Sequence, residues 1–405
     1  MRILHTSDWH LGQHFMGKTR QHEHAAFLDW LVAQAEVLRA DAIILAGDVF
    51  DTGTPPSYAR ELYNRFIVEL QRTGCHLVVL GGNHDSVAML NESRELLGCL
   101  NVSVIPGVQD DPQRQLLTLH RRNGEPGALL CAVPFIRPRE VLESRAGQSG
   151  DDKRQALQQA IADHYRTLFE LAEEQRGQRD AVVPIIATGH LATVGAGSSD
   201  SVREIYIGTL EAFPASAFPP ADYIALGHIH RPQKVAGLEH IRYCGSPIPL
   251  SFDEVGQQKT VLLAEFAGGA LQGVTPLPVP CFQPLARVSG SLEELGANME
   301  EVAANGSEKR PVWLEVTVLD DDYLSDLQPR VQALAEGLAV EILLVRRGRR
   351  EQATSLAAEQ RETLSELTPE QVFARRLGLE ALAEADLAAL NGLHDQVLAD
   401  LREQA

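Results

Sequence analysis

The segment HLVVLGGNHD, residues 76–85, joins a short run of aliphatic residues to two glycines and three polar side chains. A continuous apolar run of this length is typical of a strand that is covered on both faces of a sheet. The same pattern recurs at three other places: 42–46 before Gly47-Asp48, 182–188 before Gly189-His190, and 223–226 before Gly227-His228-Ile229-His230. We therefore expect these polar groups to gather along one edge of a sheet, where the strands end.

Helical patterns separate the strand-like runs and predict an α/β layered fold. The helices are expected at residues 23–38, 57–72 and 153–176. A first strand around Ile3 leads into Asp8-Trp9-His10, and further extended strands are expected at 239–244 and 260–266.

A chain of 405 residues is long enough for two or three domains. We expect a main domain over residues 1–275, which contains all the polar clusters. The alternating and helical patterns within residues 276–350 predict a small βαβ domain, with strands at 313–318 and 340–345 around a helix at 323–336.

The last segment, residues 351–405, has helical stripes of Leu and Val and no strand pattern. Short amphipathic helices of this kind need a surface to pack on. These residues alone do not decide whether the helices pack on the protein's own surface or on that of a partner.

The bulk composition excludes several classes. No apolar stretch approaches the roughly 18 residues that span a bilayer, and the N-terminus lacks the long apolar core of a secretory signal, so cytoplasm is expected. The five cysteines contain no CxxC pair, which argues against a zinc ribbon. A net charge of −19 disfavours unaided binding to nucleic acid unless metal ions, a basic patch or a partner supplies positive charge.

The strand ends offer seven candidate metal ligands, which combine carboxylate, imidazole and one carboxamide. They are Asp8, His10, Asp48, Asn83, His190, His228 and His230. We expect Asp8 and His10, like His228 and His230, to share a face of an extended segment because side chains at i and i+2 of a strand do so. If Asp48 bridges two ions, each ion has four protein ligands.

Ligation of this mixed type without thiolate fits manganese, iron or catalytic zinc. Paired ions roughly 3.5–4 Å apart activate water and stabilise both oxygens of an in-line displacement at phosphorus. With only Asp8 and Asp48 as anionic ligands, two divalent ions leave the site positive and attractive to phosphate. His84 remains as a general acid or as a donor to the phosphoryl oxygens. Asp85 is expected to orient a histidine, and Asp51 to do the same or to touch substrate.

The motifs DxH, GDxxD, GNHD, GH and GHxH, in this order, resemble those of the calcineurin-like metallophosphoesterase superfamily. The flanking text resembles the bacterial SbcD-type nuclease subunits over most of the chain. It reads GDVFDTGTPPSYARELYNRF (47–66), GCHLVVLGGNHDSVA (74–88), DYIALGHIHRPQ (222–233) and YCGSPIPLSFDE (243–254). The layered fold is thus expected to be a metallophosphoesterase sandwich with a small α+β capping domain and C-terminal helices.

The resemblance implies a manganese-dependent DNA nuclease, with 3′→5′ exonuclease activity on duplexes and endonuclease activity on single strands and hairpins. It implies a role in DNA end processing, repair and recombination. By motif position, Asp8, His10, Asp48 and His230 would hold one metal, and Asp48, Asn83, His190 and His228 the other. His84 would be catalytic. Some relatives have histidine at the position of Asp51, so their substrate-positioning role is not transferred to it.

The resemblance also implies partners. SbcD-type proteins dimerise through helices that correspond here to about 57–72 and 90–97, and their small domain caps the nuclease site. Their C-terminal helices bind an SbcC-type coiled-coil ATPase, which favours the partner over the protein's own surface for residues 351–405. Basic candidates for contacts to DNA phosphates are Arg137, Arg139, Arg203 and Arg231.

Two other functions are compatible with the motifs. A small-molecule phosphodiesterase or phosphatase would use the same metals, but the roughly 130 residues beyond the catalytic region disfavour it. In a non-catalytic DNA-end scaffold the metal site would be structural or vestigial, and the complete ligand set argues against that.

Overall fold

The computed structural model describes residues 1–142, 149–179, 182–197, 202, 212–319 and 326–348, together with 390 and 393. Its strands, numbered β1 to β17 in chain order, are Arg2–Thr6, His14–Phe15, Lys18–Thr19, Ala42–Leu45, His76–Leu80, Val102–Ile105, Leu116–His120, Pro126–Cys131, Ile185–His190, Tyr223–Gly227, Gln233–Val235, Leu238–Tyr243, Thr260–Ala267, Ala270–Pro278, Leu285–Gly290, Val312–Leu319 and Val340–Gly348. Its helices, α1 to α8, are Gln21–Val37, Ser57–Gln71, Val87–Glu92, Arg94–Gly98, Pro138–Val141, Gly150–Gly177, Leu292–Ala303 and Leu327–Leu334.

Two six-stranded sheets form the main body. The first has the order β14-β13-β1-β4-β5-β6, in which β1, β4, β5 and β6 run parallel. The second has the order β11-β12-β10-β9-β8-β7, in which β8, β9, β10 and β12 run parallel. The parallel strands of each sheet therefore end at a common edge.

Alternate residues of each strand pack on opposite faces. Ile44 and Val78 of the first sheet meet Leu130 and Ile186 of the second in a core between the sheets. Neighbours such as Ile43 face α1 and α2 instead, and α6 covers the outer face of the second sheet. The resulting order of layers, helix, sheet, sheet and helix, confirms the predicted α/β sandwich.

His5 links the two sheets inside this core. Its Nδ1 lies 2.9 Å from the Tyr223 hydroxyl and its Nε2 lies 3.1 Å from the Leu226 carbonyl. Because a carbonyl only accepts, Nε2 carries the proton of a neutral ring. Burial lowers the pKa of His5 to about 3, which keeps the ring neutral in the folded protein.

Most predicted elements lie within a few residues of the observed bounds, but one strand shifts. The run at 182–188 is observed as Ile185–His190, since Val182 is exposed and Pro184 has no N–H for the ladder. His190 is consequently the last residue of β9 and not the first of a loop.

The small domain contains more than the predicted βαβ unit. Strands β15, β16 and β17 form a parallel sheet with α7 and α8 as its crossovers. Helix α7 begins with a capping box in which Ser291 and Glu294 bond reciprocally to backbone N–H groups. The helices predicted for 351–405 lie outside the described residues, except that Leu390 and Leu393 are helical and exposed.

Residues 1–348 form one compact unit, and residues 349–405 belong to a second. Among the described residues, no helix has the length and apolar character that crossing a membrane requires.

Candidate metal centre

The candidate ligands lie where five parallel strands end. Asp8, Asp48 and Asn83 follow β1, β4 and β5 of the first sheet. His190 ends β9 of the second sheet, and His228 follows β10. The loops from both sheets meet at this edge, so the site is assembled from segments that are distant in sequence.

Four of the ligands occupy the left-handed region of backbone space, which non-glycine residues seldom adopt. The φ angles are 54° for Asp8, 47° for His10, 51° for Asp48 and 92° for His228. Strands β1 and β10 end at Thr6 and Gly227, so the prediction that Asp8 and His10, and likewise His228 and His230, share the face of an extended segment was wrong. Strained backbone of this kind persists only where the surrounding structure imposes it, and it clusters at functional sites.

Two glycines allow the loops to approach closely. A Cβ on Gly82 would overlap Asp48 Oδ1 and the Asp48 backbone nitrogen, and a Cβ on Gly47 would overlap the His190 ring. Gly47 also has a φ of +91°. Both glycines are therefore needed for space, and Gly47 is needed for its turn as well.

The first group of ligands combines Asp8, His10 and His230, whose ligand atoms lie within 4.8 Å of one another. His10 Nε2 is buried without a hydrogen-bond partner, and the nearest carboxylate oxygen, Asp48 Oδ2, is 3.6 Å away. Meanwhile His10 Nδ1 lies 3.2 Å from Asp51 Oδ1, which directs the proton to Nδ1 and leaves Nε2 as a lone-pair donor. An orphaned buried nitrogen facing two carboxylates fits a cation.

The second group combines Asp48, Asn83 and His190. His190 Nε2 lies 3.2 Å from Asp48 Oδ2 and 2.9 Å from Asn83 Oδ1, while its Nδ1 lies 2.8 Å from the Ala46 carbonyl. Burial lowers the pKa of His190, but the Asp48 carboxylate outweighs burial and raises that pKa to about 9. A proton thus sits among three atoms that converge as ligands, and a divalent cation fits in its place.

Asp48 links the two groups, since its Oδ2 lies 3.6 Å from His10 Nε2 and 3.2 Å from His190 Nε2. Burial alone would raise the pKa of its carboxyl, but His190, His10 and His84 outweigh burial and hold that pKa well below its ordinary value. The carboxylate is therefore ionised in the site, as a bridging ligand must be.

His228 lies beside these ligands but is in none of the groups of converging ligand atoms among the described residues. Its N–H donates to Asp8 Oδ1 at 3.0 Å, and its ring centroid lies 5.4 Å from that of His190. Burial, then the neighbouring His190, lowers the pKa of His228, so its ring is neutral and has a lone pair to offer.

His84 lies at the mouth of the site. Its backbone N–H donates to Asp48 Oδ1 at 3.0 Å, and its Nδ1 donates to the Asp51 carbonyl at 2.7 Å. Its ring centroid is 4.7 Å from that of His10. One of its ring nitrogens also lies within 4.8 Å of ligand atoms of His10 and Asp48, so it is close enough to reach groups bound there.

The two other predicted carboxylates differ in what they contact. Asp51 orients His10, as described above. Asp85 instead accepts backbone N–H groups of Val49, Phe50 and Gly82 at 3.1, 3.0 and 2.8 Å. It therefore fixes the Asp48 loop against the loop that carries Asn83, a backbone role that the sequence did not suggest.

Of the four basic candidates, Arg137 has a structural role. Its guanidinium donates to the carbonyls of Gly82 at 3.2 Å and Asp85 at 2.9 Å. Arg139 and Arg231 are exposed, and Arg203 lies outside the described residues.

Sequence reasoning missed Glu254 and Lys259. Glu254 is fully buried and lies 3.3 Å from His230 Nδ1, and Lys259 pairs with Glu254. Glu254 follows Asp253 in a short polar turn, so the sequence alone does not distinguish the two acids. In the structure Glu254 is buried, whereas Asp253 is partly exposed. The run SPIPLSFDE was the one available indication of a special role.

Comparison with known proteins shows which families this chain resembles. Residues 1–232 match the calcineurin-like phosphoesterase family, and residues 281–380 match the type 5 capsule protein repressor C-terminal domain. The chain is 57% identical to the SbcD subunit of the SbcCD nuclease of Escherichia coli strain K12, over 98% of each chain. It is 32% identical to the SbcD subunit of Rhodobacter capsulatus, over 92% of this chain and 94% of the relative. The SbcD subunit of Bacillus subtilis is 31% identical, over 80% and 81%.

Proposed function

This chain belongs to the calcineurin-like phosphoesterases and, among them, to the SbcD subunits of SbcCD nucleases, and we propose that it hydrolyses phosphodiester bonds of DNA with two divalent metal ions. The observation that carries the proposal is the overlap of the ligand groups formed by Asp8, His10, Asp48, His190 and His230, with a buried, unpartnered His10 Nε2 among them. A stability role alone would not require four strained ligand residues at one edge.

We assign Asp8, His10, Asp48 and His230 to one ion and Asp48, Asn83, His190 and His228 to the other. When bound, the ions supply Lewis acidity and a water of lowered pKa. The all-nitrogen-and-oxygen ligation, with an amide and two carboxylates, supports manganese as the working metal.

The protein's own contribution to the reaction centres on His84. Because its Nδ1 donates to the Asp51 carbonyl, the ring is held with Nε2 as the atom that meets substrate. From there a protonated ring donates a hydrogen bond to the phosphoryl group or a proton to the leaving oxygen. The hydrogen bond from its backbone N–H to Asp48 fixes the position of this histidine relative to the metal ligands.

DNA as the substrate is supported by the SbcD relatives and is consistent with charge. The chain carries −19, but two divalent ions against Asp8 and Asp48 make the site itself positive. We propose 3′→5′ exonuclease activity on duplexes and endonuclease activity on single strands and hairpins. The setting would be DNA end processing, repair and recombination in the cytoplasm, where a bacterial chromosome lies.

Assembly is part of the proposal. A cavity of about 700 Å³ lies between α2 and the α3–α4 segment, with Tyr63, Val68 and Leu97 among its lining residues. Val68 is 55% exposed and the nearby Leu96 is 65% exposed, which supports this surface as the homodimer interface. The partner proposed for residues 351–405 is an SbcC-type coiled-coil ATPase.

The small domain is proposed to cap the site. Trp313 of β16 stacks on Phe15 with centroids 5.8 Å apart, and Phe15 contacts Phe252 edge-on. Phe15 lies five residues after His10, and Phe252 lies two before Glu254. The capping domain thus rests on the two segments that hold one metal position.

The test compares cleavage of end-labelled duplex and hairpin DNA with turnover of a chromogenic phosphodiester, in manganese, with and without the ATPase partner. We expect DNA cleavage that needs manganese and disappears in Asp48→Asn. Preference for the small ester would favour the phosphodiesterase alternative, and undiminished DNA binding without any cleavage would favour a scaffold.

A further inference from the structure

Glu254 lies beneath the metal centre and has no role in the assignments above. The side chain is fully buried, and its Oε1 is 3.3 Å from His230 Nδ1. Its other oxygen accepts from the Leu250 N–H at 3.1 Å and the Ser246 hydroxyl at 3.3 Å. A buried carboxylate with this many donors is fixed in place.

Lys259 compensates the buried charge. Its ammonium pairs with Glu254 Oε2 and also donates to the His230 carbonyl at 3.1 Å and to Ser246 Oγ at 3.0 Å. The same two residues therefore hold both the ring and the backbone of His230. Removing one partner of such a pair leaves an uncompensated charge in the interior and destabilises the fold. This loss of stability has to be distinguished from any effect on metal binding.

The two proposed metal positions differ in what lies behind their histidines. At one, His10 and His230 both direct Nδ1 to a carboxylate, Asp51 and Glu254. At the other, His190 directs Nδ1 to the neutral carbonyl of Ala46. A carboxylate behind a histidine fixes the tautomer and raises the basicity of the nitrogen that faces the metal.

We propose that Glu254 is a positioning residue that holds His230 with Nε2 toward the metal and, together with Asp51 behind His10, makes this position the tighter of the two. The inference rests on the proposed metal centre. Its consequence is that the two positions fill in order, first the one with His10 and His230, then the one with Asn83 and His190.

The experiment titrates manganese chloride into the metal-stripped full chain by calorimetry. We expect two unequal sites in the wild-type chain. In Glu254→Gln the tighter site should weaken by about 10- to 100-fold, as for other groups that support a metal-bound histidine. Glu239→Gln is the matched control, since Glu239 also pairs with a lysine five residues away but on the surface.

A second variant separates positioning from folding. Glu254→Gln combined with Lys259→Met removes both buried charges, so it should recover the thermal stability that the single variant loses in chelator. We expect its manganese affinity to remain low. Recovery of wild-type affinity, two equivalent sites in the wild type, or unchanged affinity in Glu254→Gln would each overturn the inference. A wild-type chain that binds no manganese would instead overturn the proposed metal centre itself.

Discussion

The Nδ1 of His84 donates a 2.7 Å hydrogen bond to the backbone carbonyl of Asp51. Because a carbonyl cannot donate, this contact fixes the proton on Nδ1 of the neutral ring and assigns Nε2 to the substrate side. It also connects the loop after β4 with the loop after β5, so the proposed catalytic group and the ligand Asp48 move as one unit.

His84→Gln should therefore lower the rate of DNA cleavage by about 10²- to 10⁴-fold, the usual contribution of a proton donor. Manganese affinity should stay unchanged, because the ligand set is complete without His84. The exposed His120→Gln is the control and should behave as wild type. A variant that loses manganese along with activity would make His84 a ligand, which its distance from His10 and Asp48 also permits.

Gly82→Ala should abolish manganese binding, because the added methyl group would occupy the space of Asp48 Oδ1 and the Asp48 backbone nitrogen. The matched control is Gly98→Ala at the end of α4, where a Cβ would meet open space. Calorimetry on both variants checks this, and manganese bound normally by Gly82→Ala would show that the Asp48 loop has room to move.

Asp85→Asn should destabilise the apo protein by about 1–3 kcal/mol, since an amide accepts on one atom only and leaves a buried N–H of Val49, Phe50 or Gly82 unsatisfied. Urea unfolding in chelator measures the change. Asp29→Asn alters an exposed ion pair with Arg65 and should cost little. Equal stability of the two variants would contradict the backbone role of Asp85.

The buried His5 predicts a pH effect on stability. Its pKa of about 3 in the folded protein is below the 6.5 of the unfolded chain, so its contribution is complete above pH 6.5 and is lost as pH falls toward 3. In His5→Gln the free energy of unfolding in chelator should consequently change less with pH. Near pH 5 the slope of the free energy of unfolding against pH should be smaller in the variant than in the wild type by about 1.4 kcal/mol per pH unit. Identical slopes in variant and wild type would mean that His5 is protonated in the fold.

The sequence was sufficient for the layered fold and for which residues gather at its edge, because apolar strands and Gly-polar endings are local patterns. It was not sufficient to predict the backbone conformation of the ligand residues. Asp8 and His10 look like the end of an extended segment, and only the assembled loops force them to positive φ. Glu254 and Asp85 likewise resemble surface acids in the sequence, and their burial is seen only in the folded chain.

The small domain shows the same limit. Its alternating strand at Trp313 was predicted from local pattern, whereas β15 and α7 were missed, although the Ser291–Glu294 capping box is a local signal for the start of α7. The stacking of Trp313 on Phe15 joins two segments that are far apart in the chain, and no local pattern encodes it.

In the proposed metal centre, two divalent ions share Asp48. Anomalous diffraction at the manganese absorption edge, from crystals of the full chain grown with manganese, tests it most directly. We predict two peaks about 3.5–4 Å apart on either side of the Asp48 carboxylate, one near His10 and His230 and the other near Asn83 and His190. A single peak, no peak, or peaks away from Asp48 would contradict the account.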